Sequence, residues 1–153
     1  RRGRDVKSRW IARGLYAPAP EEVMALGLGA GDRVARLERV RSSDGVPLAI
    51  ERASLPQHIL PDPGQVADSL YAMLESLGQR PVRAVQRISA ANLNAKDAEL
   101  LGVQPGVAGL RIERISYLPS GKVVEFTRSL YRGDAYDFAV ELKLAPDGER
   151  NPQ

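Results

Sequence analysis

Apolar residues along this chain follow two periods. Between residues 66 and 77, Val66, Leu70, Met73, Leu74 and Leu77 recur at helical spacing, which lines one face of a helix. Asp68 and Ser69 are its caps if it starts late, and Gly78 is its stop. Elsewhere the apolar runs are strand-like and broken by turn signals. Residues 33–42 and 46–55 predict a hairpin closed by Ser43-Asp44-Gly45. Residues 107–118 and 122–132 predict a second, closed by Pro119-Ser120-Gly121. Residues 7–16 read as a strand, with a short helix as the alternative, and residues 82–93 and 136–144 as further strands. Two short helices complete the pattern. Pro20, Glu21 and Glu22 open one that ends at Gly27 or Gly29, and Asn94 caps one that ends at Gly102. The loop at 55–64, with three prolines and a glycine, is not expected to be regular. Strands outnumber helices and come mostly as hairpins, so the expected class is α+β, an antiparallel sheet with helices packed on it.

Composition narrows the chemistry. The 153 residues suit one domain, and 43% hydrophobic with 27% charged residues is ordinary for a soluble one. Without cysteine there are no disulfides or thiolate metal sites. The single histidine, His58, lies between prolines and reads as a loop residue. No apolar run approaches membrane-spanning length and no signal-peptide pattern is present, so a cytoplasmic location without membrane contact is expected. The net charge of +3 is concentrated at one end. The first ten residues hold Arg1, Arg2, Arg4, Lys7 and Arg9 against Asp5, which leaves 17 basic and 18 acidic residues for the rest. The expected organisation is a basic linker stub over residues 1–6, a nearly neutral domain over 7–144 and a flexible tail over 145–153. A chain opening on arginine rather than methionine is expected to have lost something upstream.

Catalytic motifs are scarce. There is no Gly-x-Ser-x-Gly, no Gly-rich phosphate loop with its Lys-Ser/Thr, and no His-Glu-x-x-His. Binding chemistry is better represented. Arg39 and Arg41 lie two apart on a predicted strand and so share a face. Glu51 ends the return strand nearby. Two converging guanidinium groups suit a small anion, although a solvated arginine pair has the same pattern. Ser69 and Tyr71 stand near the start of the main helix as further donors, or as a cap and a packing residue. Glu125 and Tyr131, six apart on one strand, share a face able to read hydroxyl or amine groups, or form a surface acid and a half-buried phenol.

These pieces, taken in order, resemble a known family. Arg39-x-Arg41, Asp44-Gly45-x-Pro47-x-Ala49-x-Glu51, Leu55-Pro56, Ser69-Leu70-Tyr71, Val124-Glu125 and Tyr131-Arg132-Gly133-Asp134 with Tyr136-x-Phe138 are similar to the UTRA domain. That domain is the effector-binding half of HutC-type regulators of the GntR family. The resemblance runs from about residue 7 to residue 144 and implies a chorismate-lyase-like α+β fold, a small-molecule effector and a homodimer; no cofactor or metal is expected. It also implies a winged helix-turn-helix upstream that binds operator DNA and lies outside this chain. On that resemblance, Arg39, Arg41, Ser69 and Tyr71 form the anion-recognition side of the pocket, and Glu51, Glu125 and Tyr131 read the rest of the ligand. The effector is expected to be anionic, of phosphosugar type. An enzyme of the same fold acting on an aromatic carboxylate, and a nucleic-acid binder using the basic stub, are the competing readings.

Overall fold

A computed structural model describes residues 6–136 and residue 144 of the chain. Six strands form one antiparallel sheet: β1 (Val6–Tyr16), β2 (Val34–Ser43), β3 (Val46–Pro56), β4 (Arg83–Asn92), β5 (Ala108–Tyr117) and β6 (Val123–Arg132). Their order is β1-β2-β3-β6-β5-β4. Two three-stranded meanders, one from each half of the chain, are therefore joined where β3 pairs with β6. The first hairpin closes through Asp44 (φ 51°) and Gly45 (φ 81°). Asp-Gly in this left-handed pair is the turn whose twist matches that of its strands. The expected strand at 136–144 and the tail at 145–153 fall largely on residues 137–143 and 145–153, outside the described residues, as do residues 1–5 of the expected basic stub.

Three α-helices cover the two faces: α1 (Pro20–Leu26), α2 (Leu70–Ser76) and α3 (Ala95–Leu101). Gly27 and Gly102, both left-handed, end α1 and α3 where the sequence places their stops. On one face, α2 and the loop before it pack Ile59, Leu60, Val66 and Leu74 against Ala35, Leu37, Ala53 and Leu55. On the other, Ala98 and Leu101 of α3 meet Val40, Ile50 and Leu130, and Leu26 of α1 meets Val34 and Phe126. Here α1 is held by charge as well. Glu22, 1% exposed, accepts from Arg36 Nη2 at 2.6 Å, Arg36 Nε at 2.9 Å and the Ser54 hydroxyl at 2.6 Å.

The helix expected at 66–77 starts later. Pro63–Gln65 forms a 3-10 turn and Val66 is extended. Ser69 then caps α2, its hydroxyl oxygen accepting the Ala72 N–H at 3.0 Å. Val66 still fills the core, but from the loop, where its carbonyl accepts a hydrogen bond from Arg13 at 2.8 Å. Its place in the apolar period thus reflects burial rather than helix. Leu77, the last member of that period, is exposed.

Candidate functional site

Sheet register fixes where the candidate residues meet. Directly opposed residues share a face, and one row across the central strands reads Arg39, Glu51, Ser129 and Ile112. The neighbouring row on the same face reads Leu37, Ala53, Thr127 and Arg114, and the row beyond Arg39 reads Arg41, Ala49, Tyr131 and Leu110. A cavity of about 340 Å³ opens on this face beneath α2. Arg39, Arg41, Glu51, Ser69, Tyr71 and Glu125 all line it. Tyr131 lies in an adjoining cavity that shares Glu51, Arg114, Thr127 and Ser129 with the first. Six of the seven candidates thus share one cavity and the seventh is next door.

The two arginines share one carboxylate. Arg39 Nε donates to Glu51 Oε1 at 3.2 Å, and Arg41 Nη1 stands 3.6 Å from the same oxygen. Arg39 is held further by the Asp68 carbonyl, which accepts from Nη1 at 3.0 Å, and by the face of Trp10 on β1, 4.9 Å from its guanidinium carbon. The pair therefore presents two fixed cations against one acid. Glu51, assigned from the resemblance to the far end of a ligand, stands instead between the arginines. Antiparallel pairing sets it directly opposite Arg39, so it is their counter-charge.

Glu125 differs from its surface alternative: it is 1% exposed. Its Oε1 accepts from Tyr71 at 2.6 Å and from Ser116 at 2.7 Å, and its Oε2 accepts from Thr127. Three hydroxyls replace the water it loses. Tyr71 accordingly turns its O–H to Glu125 rather than to the arginines. Burial, then the hydrogen bond and negative charge of Glu125, push the Tyr71 phenol up to about 12. Tyr131 is also pushed up, first by burial and then by the charge of Glu51. Both phenols remain neutral and can act as hydrogen-bond donors at neutral pH. Ser69 spends an oxygen lone pair on its cap and keeps its hydroxyl hydrogen for the cavity.

Several wall residues escaped the sequence reading: Trp10, Arg114, Thr127 and Ser129. A signal for two of them was present. Glu125, Thr127, Ser129 and Tyr131 alternate as a polar stripe along β6, which marks one face. Trp10 stands on a strand whose neighbour local pattern does not name, and Arg114, though inside the second predicted hairpin, reaches this cavity only through the β3–β6 pairing.

The model of the UTRA domain matches residues 1–137. The chain belongs to the UTRA domain family. Among relatives of this UTRA domain, the HTH-type transcriptional repressor NagR of Bacillus subtilis is 31% identical over 140 residues, which cover 90% of this chain and 58% of the relative. The HTH-type transcriptional repressor PhnF of Mycolicibacterium smegmatis is 37% identical over 127 residues, covering 80% and 52%. The domain thus spans little more than half the length of those repressors. Its fold matches the crystal structure of the effector domain of PhnF from Mycobacterium smegmatis with a TM-score of 0.84 at 31% identity, covering 93% of this chain and 90% of that one. It also matches a GntR-family regulator from Enterococcus faecalis with a TM-score of 0.80 at 30% identity, covering 89% and 100%. These relatives are named as regulators, and the reading as an enzyme gains no support from them. Among the described residues, no helix is long and apolar enough to cross a membrane.

Proposed function

We propose that this UTRA domain is the effector-sensing part of a bacterial transcriptional repressor and that its effector is a small anion of phosphosugar type. The observation that carries the reading is that Arg39 and Arg41 face one cavity with a single carboxylate, Glu51, between them. Two partly desolvated guanidiniums against one acid leave a cationic remainder that a phosphate or carboxylate would neutralise. Ser69 and neutral Tyr131 offer further donors around it. Operator binding belongs, on this reading, to a winged helix-turn-helix outside this chain, the assembly is a homodimer, and the protein works in the cytoplasm. The names of the relatives as HTH-type repressors support this division of labour.

The test is a thermal-shift screen of sugar phosphates and small carboxylates, followed by calorimetry on the hits. An anion that raises the melting temperature in a concentration-dependent way, and loses that effect in Arg41→Ala, supports the reading. If no anion stabilises the domain, the arginine pair is a structural ion cluster and the proposal is wrong.

A further inference from the structure

Arg114 on β5 stands in the wall of both cavities, at their junction. It is half-buried, and its guanidinium carbon stands 5.9 Å from the centre of the Tyr71 ring. The buried Nε has no hydrogen-bond partner. Nη1 reaches Gln86 Oε1 at only 3.4 Å, near the limit of a useful bond, and the guanidinium forms no ion pair with any described residue. Arg128 also has a bare Nε, but its other nitrogens are occupied: Nη1 donates to Glu21 at 2.9 Å and Nη2 to Ser54 at 2.8 Å. Of the acids that line these cavities, Glu51 pairs with Arg39 and Arg41, Glu125 accepts from three hydroxyls, and Asp68 lies exposed at the rim. A half-buried guanidinium with a bare Nε and one long hydrogen bond keeps donors for a ligand's acid.

Arg39 and Arg41 lie on β2 and Arg114 on β5, with β3 and β6 between them. Three strand spacings separate the two walls, about 14 Å between backbones. Long arginine side chains shorten that gap to the length of a small molecule. The floor between carries Glu51, Thr127 and Ser129. We infer that Arg114 recognises a second acidic group, so that the effector is an elongated molecule with an acid at each end and hydroxyls between. One acid lies against Arg39 and Arg41, the other against Arg114, and the middle lies over Thr127 and Ser129. This rests on the reading of the cavity as the effector site.

Calorimetric titration with two matched probes tests it: glucose 6-phosphate, with one acidic end, and 6-phosphogluconate, with a carboxylate at the other. Linear dicarboxylates against their half-amides repeat the comparison without the sugar's shape. The unsubstituted chain is expected to prefer two-acid probes by roughly tenfold, as for one charge-assisted contact. Arg114→Gln is expected to remove that preference while changing glucose 6-phosphate affinity less than about threefold, and Arg114→Lys to keep much of it. Arg41→Gln is expected to weaken both sugar probes. Equal affinity for one-acid and two-acid probes in the unsubstituted chain, or an equal loss for both in Arg114→Gln, overturns the second acid alone if Arg41→Gln still weakens glucose 6-phosphate. If no probe binds and Arg41→Gln changes nothing, the effector-site reading falls and this inference with it.

Discussion

The buried Glu22 makes stability depend on acid in a way that can be computed. Burial alone would raise its carboxyl. Hydrogen bonds from Arg36, Ser54 and the Ala19 N–H, with the positive charge of Arg36, outweigh burial and lower it from an ordinary 4.5 to about 2. A folded-state value below the unfolded one means the unfolded chain binds the proton more readily. The stabilisation is therefore complete above the unfolded value and is lost as pH falls from about 4.5 towards 2. At about 1.4 kcal/mol per pH unit the full effect is about 3 kcal/mol, of which about 2 kcal/mol disappears between pH 7 and pH 3. Other carboxylates titrate there too, so the informative quantity is a difference. Urea unfolding of the unsubstituted chain and of Glu22→Gln, at pH 7 and at pH 3, isolates it. Glu22→Gln should be the less stable at pH 7 because Arg36 loses its acid, and the gap should narrow by about 2 kcal/mol at pH 3. A gap independent of pH would refute the assignment of Glu22 as the charged anchor of α1.

Arg41→Ala should weaken binding of an anionic effector by about 1.5–3 kcal/mol. It should cost stability less than about 1 kcal/mol, because its ion pair is long and its side chain 32% exposed; calorimetry and urea unfolding on one preparation separate the two. Leu74→Ala should cost about 2–5 kcal/mol in urea unfolding, since Leu74 is fully buried between α2 and the sheet. Gly109→Ala should destabilise by about 1–3 kcal/mol, because a Cβ there would stand 2.8 Å from the Tyr131 carbonyl and 3.0 Å from Leu93. Unchanged melting of Gly109→Ala would mean that β5 and β6 separate readily at this end.

Much of the fold was legible because its signals are local. The Asp44-Gly45 turn, the Asn94 cap and the Gly27 and Gly102 stops act within a few residues, and each lies where local chemistry places it. The start of α2 was harder to read. Val66 continues a helical period that the chain does not follow, since burial alone can sustain an apolar pattern without the helix. Within the site, the shared face of Arg39 and Arg41 follows from strand alternation alone. That Glu125 would be buried under Tyr71, 54 residues away, follows from no local rule.

By itself, then, the sequence determined the strands, the turns and the side chains that share a face, because strand period and turn conformation are properties of adjacent residues. Only the tertiary structure decided which strands are neighbours. The β3–β6 pairing brings the second meander beside the first. That one junction sets Ser129 against Glu51, gives Arg39 and Arg41 their common cavity with Glu125, and sets Arg114 across from them. Pairing between distant strands is chosen by which apolar faces α1, α2 and α3 can cover together. That is a property of the packed whole, and no window of the sequence contains it.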